Sequence, residues 1–233
     1  YDGITQKRYA SEEGLPDTIV SSICVADDGI YAVSHHNGIY KFSNEKWELV
    51  FPRPGQFKWR VDSLITSSDG SVWAGTPLGA LRLQNGKVTC YTTRLMVEGI
   101  SKLAPQLDFY IVPGKAAAPK PDHGAGLYVA GDVIVAIAPN SPADRAGLQT
   151  GDRVIEGMPD LRIWEWEFHD PIGHTTELVI QRKGTPESFN VKLTHEKYEQ
   201  CYQRFWPYYI YEDNQGYIWF GLLEGMIVRH DPK

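Results

Sequence analysis

Few residues of this chain have the types and spacing that chemistry needs. A nucleophile requires a base beside it and a third group to orient that base, and no Ser/His/Asp or Cys/His constellation is recognisable. His35-His36 and Asp122-His123 are adjacent pairs. Neighbours on a strand face opposite ways, so these pairs read as solvated turn residues rather than metal ligands. His169-Asp170 reads as a helix end. Asp27, Asp28 and Asp69 carry oxygens that calcium could take, but a turn that satisfies its own backbone needs the same residues, and that reading is preferred. Cys24, Cys90 and Cys201 show no metal-ligand spacing. They read as buried thiols that behave as small apolar side chains, with a Cys90–Cys201 bridge as the alternative. No phosphate-cradling glycine loop is present. The expectation is therefore a protein without catalytic residues, metal or cofactor.

Composition bounds the partner. The chain has 233 residues, is 42% hydrophobic and 22% charged, and has a net charge of −6. That is ordinary globular composition, long enough for one large or two small domains. The acidic balance argues against nucleic acid, whose phosphates need a basic face. No apolar run approaches the ~20 residues of a membrane span. The chain starts at Tyr1 with no initiator Met and no signal peptide, so it is read as a mature product or an excised piece of something longer.

The elements that position these residues come from an internal repeat. One copy reads VSSICVADDGIYAVSHHNGIYKFSNEKWELV, a second VDSLITSSDGSVWAGTPLGALRLQNGKVTCY, and a third YYIYEDNQGYIWFGLLEGMIVRHD. Gly29 and Gly38, Gly70 and Gly79, and Gly216 and Gly225 each stand nine apart, and the first two copies are offset by 41. Short strands and glycine turns with a period in the low forties are the signature of propeller blades. In each copy an apolar strand ends in an Asp-rich turn, a second strand carries an aromatic (Tyr31, Trp73 or Trp219), and a third alternates. The alternative reading is a repetitive β-sandwich. Trp73-Ala74-Gly75 and Trp219-Phe220-Gly221 resemble the two-component-regulator propeller repeat, found in the sensor portions of bacterial receptors; the first copy departs with Tyr31-Ala32-Val33. Gly14-Leu15-Pro16 is similar to that family's blade-to-blade linker, and Tyr1-Asp2-Gly3 to the tail of a preceding blade.

Gly70 and Gly216 lie 146 residues apart, 105 more than one period. The excess has its own signature. Val133 to Ile137 is a β-branched strand; Ser141 caps a short helix with Pro142 at its first position; Gly147 ends it; Gly151-Asp152 turns into a strand at Arg153-Val154-Ile155. Ala116 to Pro121 is expected as a loop, Pro159 to Phe168 as a helix, and Thr176 to Arg182 and Ser188 to Leu193 as strands. The run from Ser141 to Leu148 with Gly151-Asp152 and Val154-Ile155 resembles the core of a PDZ domain of the HtrA and C-terminal-processing-protease kind, and the likeness extends from about Gln106 to Tyr198. It implies a carboxylate-binding loop at Gly124, Ala125, Gly126 and Leu127, whose backbone N–H groups would meet a peptide C-terminus. Trp164 and Phe168, four apart on one helix face, would stand by the groove or pack in the core. Ala125 and Gly157-Met158 depart from the family pattern.

The expected fold is mainly β: three β-propeller blades in an incomplete ring at 1–104 and 201–233, with an inserted α+β PDZ domain at 105–200. The expected function is non-catalytic binding or scaffolding in a periplasmic or extracellular sensor or assembly. Its expected partners are a protein or peptide C-terminus and further blades, from the same longer chain or another copy. Two alternatives remain: the substrate-capturing part of a larger protease, and a lyase or hydrolase with its site at the propeller axis.

Overall fold

A computed structural model of the chain describes residues 7–16, 19–34, 37–52, 60–112, 120–157, 171–200, 205–222 and 225–232. The fold is mainly β, in several antiparallel sheets, and forms two units: Tyr1–Thr89 with Trp206–Lys233, and Cys90–Phe205.

The first unit begins with a 3-10 turn, Ser11–Glu13, in which the Glu13 carboxylate accepts from the Ala10 N–H at 2.8 Å. Val20–Ala26 (β1), Gly29–Ser34 (β2), Gly38–Ser43 (β3) and Lys46–Phe51 (β4) follow as one sheet, each strand beside its sequence neighbour. Ser63–Thr66 (β5), Val72–Thr76 (β6), Gly79–Gln84 (β7) and Lys87–Thr92 (β8) repeat the arrangement. The sequence repeat is thus an up-and-down antiparallel meander, and short glycine turns enforce it because they allow no crossover. β6 is buried along its whole length, a strand covered on both faces.

The second unit opens with a helix that sequence reasoning missed, Arg94–Leu103 (α1). Met96 and Ile100, four apart, supply its buried side. Gly99 breaks the helical pattern in the sequence, and the fold explains it: a Cβ there would lie 1.8 Å from the Val135 carbonyl oxygen, so only glycine lets the helix approach that strand. Asp108–Ile111 (β9) comes next, with the Tyr110 ring 4.9 Å from Tyr91. Lys120–Gly124 (β10) then pairs with a late strand, Glu196–Gln200, named β16 below. This corrects the sequence expectation, which left Lys120 and Pro121 in a loop and put Asp122 and His123 in a turn. Pro121 is tolerated because each strand of a two-stranded ribbon keeps one side outside the ladder.

Leu127–Ala130 (β11), Val133–Ile137 (β12), Arg153–Glu156 (β13), Thr175–Gln181 (β14) and Ser188–Thr194 (β15) form a five-stranded sheet in that order, and Glu196–Gln200 is β16. Between β12 and β13 lies the short helix Pro142–Arg145 (α2). As its sequence announced, the Ser141 hydroxyl accepts from the Asp144 N–H and Pro142 opens the first turn. Gly147 then takes φ +73°. An apolar core cluster includes Leu127, Val129, Ile134, Val154, Leu178 and Ile180. The expected helix from Pro159 to Phe168 lies outside the described residues.

The chain then returns to the first unit as Pro207–Glu212 (β17), Ile218–Leu222 (β18) and Ile227–His230 (β19), a third meander. Its central strand alternates buried and half-buried residues, in contrast to β6. Successive repeats are clasped by polar contacts. Thr66 Oγ1 donates to the Val25 carbonyl at 2.7 Å, and Glu212 accepts from the Ser68 N–H and hydroxyl at 2.6 Å each. Asp62, almost fully buried, accepts from Arg60 at 2.7 Å and from the Trp206 indole at 2.9 Å.

Candidate functional site

Gly124, Ala125, Gly126 and Leu127 join β10 to β11, and the structure brings all four into one buried turn. The turn is shaped from inside. Its Ala125 carbonyl accepts from the Ala143 N–H at 3.0 Å and its Gly126 carbonyl from the Ala138 N–H at 2.7 Å. Gly126 has φ +73°, and a Cβ there would lie 2.1 Å from the Ser141 Cβ. The turn is therefore pressed on the capping residue of α2, with both carbonyls spent inward. Among the described residues, neither the Ala125 nor the Gly126 N–H is donated to another residue. Two adjacent unspent N–H groups form an anion-seeking arrangement.

The strand that follows adds a second feature. β11 ends the sheet order, so one of its sides makes no ladder among the described strands. An open edge is a template for an added strand. Leu127 and Val129 point into the core cluster, which holds the edge rigid. Trp164 and Phe168, the other predicted site residues, lie outside the described residues, so the groove's expected wall is not part of this geometry.

The three repeats carry a polar device that the sequence did not reveal as a unit. In each, an aspartate of the first turn, the aromatic of the second strand and a cation of the third strand converge. Asp28 accepts from Tyr31 at 2.9 Å and from Lys41 at 2.6 Å, with the Lys41 ammonium 5.4 Å from the Tyr31 ring centroid. Asp69 pairs with Arg82, which lies 5.5 Å over Trp73. Asp213 accepts from the Trp219 indole at 2.6 Å, and Arg229 lies 5.7 Å over that ring. The spacing signal was present: in each copy the cation stands directly across the ladder from the aromatic, Tyr31 opposite Lys41, Trp73 opposite Arg82 and Trp219 opposite Arg229.

All three carboxyls are held below their ordinary range. At Asp28 the Lys41 hydrogen bond does most of this, against partial burial. At Asp69 burial pulls upward, but the Ser67 and Ser71 hydroxyls, the Ser71 N–H and Arg82 together outweigh it. At Asp213 the Trp219 indole leads. A polar cavity of about 460 Å³ lies between the first two repeats, lined among others by Asp27, Asp28, Lys41, Asp69 and Lys87. Two of its three carboxylates are committed to Lys41 and Arg82. Among the described residues no group of three His, Cys, Asp or Glu side chains could hold a metal ion. Cys24 and Cys90 are thiols; burial raises the first and pushes the second up to about 12. Cys201 lies outside the described residues.

No family model and no curated protein matches the chain. Among solved structures, it is similar to the extracellular domain of a hybrid two-component system from B. thetaiotaomicron, at 14% identity and TM-score 0.30 over 94% of this chain and 27% of that one. It is also similar to virginiamycin B lyase from Staphylococcus aureus, at 18% identity and TM-score 0.27 over 94% of this chain and 72% of that one. The chain thus spans about a quarter of the length of the first of these. Among the described residues no helix is long and apolar enough to cross a membrane.

Proposed function

We propose that this chain is a non-catalytic binding module of an extracytoplasmic bacterial sensor or assembly, in which propeller-type repeats carry an inserted PDZ-like domain that captures a protein or peptide C-terminus. The observation that carries it is the turn at Gly124 to Leu127: two unspent N–H groups at the start of an open edge strand. A peptide adding to β11 would complete its ladder, and the terminal carboxylate would take the Ala125 and Gly126 N–H groups. The repeat resemblance supports the extracytoplasmic setting, and the three successive antiparallel meanders support the propeller reading.

The test compares peptides that differ only at their last atom group. A free-acid apolar pentapeptide is titrated against the same peptide with an amidated C-terminus. The free acid should bind in the micromolar range and the amide at least about tenfold more weakly, about 1.4 kcal/mol. Equal binding of the two, or cleavage of either, would overturn the proposal. Gly126→Pro, with folding checked by circular dichroism, should abolish the difference.

A further inference from the structure

The glycine spacing puts the three repeats in one register, so the same position can be followed through all of them. Ile23, Leu64 and Ile210 are equivalent. Leu64 is 6% exposed and Ile210 8%, whereas Ile23 is 62% exposed. The difference lies in what stands in front of each. Thr66, two residues on from Leu64 and so on the same face, bonds to Val25 of the preceding repeat. Glu212, two on from Ile210, bonds to Ser68 of the preceding repeat. In the first repeat the matching residue is Val25, apolar and 70% exposed. Ile19, just before β1, is also bare at 74% exposure, while its equivalents Arg60 and Trp206 are 6% exposed. Four apolar side chains, Ile19, Val20, Ile23 and Val25, thus stand in water where the other repeats are covered. Large exposed apolar patches mark association sites.

The opposite end carries the counterpart. Ser22 and Cys24 of the first repeat, and Ser63 and Ile65 of the second, are half-buried, and Ser22 reaches the Leu64 carbonyl of the next repeat at 3.5 Å. These positions face the following repeat. Their equivalents in the third repeat are Tyr209 and Tyr211, 70% and 66% exposed.

We propose that the Ile19–Val25 face of the first repeat docks the third repeat of a second copy of this chain, through Tyr209 and Tyr211. The repeat-to-repeat packing inside the chain is continued between chains, with the same face receiving and the same face presented. Such contact is head-to-tail: the two patches differ, so each copy keeps one unused patch and can add another copy. Tyrosine suits the presented side, because its ring covers aliphatic surface while its hydroxyl stays wet. The proposal rests on the repeat reading alone and is independent of peptide capture by Gly124 to Leu127.

Sedimentation of the 233-residue chain at rising concentration tests it. The mean mass should at least double across the micromolar to sub-millimolar range. A receiving-face variant, Ile23→Asp with Val25→Lys, should stay monomeric, and so should a presenting-face variant, Tyr209→Asp with Tyr211→Lys. Each retains the patch that the other lacks, so an equimolar mixture should form a 1:1 dimer and nothing larger. A wild-type chain that stays monomeric throughout, a variant that still associates with itself, or a mixture that fails to pair would overturn the proposal. All four substituted residues are exposed, and unchanged circular dichroism and peptide titration separate lost docking from lost folding or a lost peptide site.

Discussion

The two units spend their polar groups differently. In the first, side chains reach from one sheet to the next: Thr66 to Val25, Ser68 to Glu212, Trp206 to Asp62. In the second, the buried polar groups stay around its own apolar core: Ser141 caps α2, Asp152 accepts from the Gln149 N–H at 2.9 Å and pairs with Arg182, and Thr176 meets His195 at 2.9 Å. The contrast follows from how each is built. A stack of similar sheets coheres only through neighbour contacts, so its stability is a sum over interfaces and its end faces stay unsatisfied. A single sheet packed on its own core has no repeat-to-repeat interfaces to sum. Specificity in the first unit therefore lies between repeats, and in the second around its own core.

Removing an inter-repeat clasp should have the largest effect. Asp62→Ala takes away both a carboxylate paired with the buried Arg60 and the acceptor of the Trp206 indole. Removing one member of this buried ion pair should cost about 3 kcal/mol, read from the shift in the urea midpoint together with amide exchange in residues 206–232. A loss below about 1 kcal/mol would mean that the clasp is not what joins the third repeat to the second.

A local turn should cost less. Ser141→Ala removes the α2 cap and should destabilise the second unit by about 1 kcal/mol. Because Gly126 packs on the same residue, the free-acid peptide should also weaken. Unchanged peptide affinity alongside the lost stability would separate the loop from its support.

The mildest way to distinguish the units is acid. Asp28, Asp69 and Asp213 have native carboxyls lowered below their unfolded values. A lowered native value stabilises the fold above the unfolded value, and that stability is lost as the pH falls through the native one. Stability of the first unit should hold down to the ordinary carboxylate range and then decline steadily as the pH drops further. Asp69→Asn should flatten the decline; an identical acid profile for this variant would show that the turn carboxylate carries no linkage.

Legibility followed locality. Repeats were readable because a strand–turn–strand unit needs its glycines at fixed offsets, and Ser141-Pro142 with Gly147 was readable because a cap and a helix end are decided within a few residues. α1 escaped because Gly99 looks like a breaker until the Val135 carbonyl is seen beside it. The β10–β16 ribbon escaped because its partners are more than seventy residues apart in sequence and neither alone has a strand pattern. The Asp–aromatic–cation clusters escaped because a carboxylate and a cation meet only once the ladder sets the register.

By itself, then, the sequence determined the mainly β meanders, their period and the short capped helix, since each is a matter of backbone preference and apolar alternation over a few residues. Tertiary structure alone decided which of three equivalent strands is covered and which is bare. Ile23 and Leu64 stand at the same point of the same motif, but burial is a property of the neighbour, and one strand has a preceding repeat against it while the other faces water.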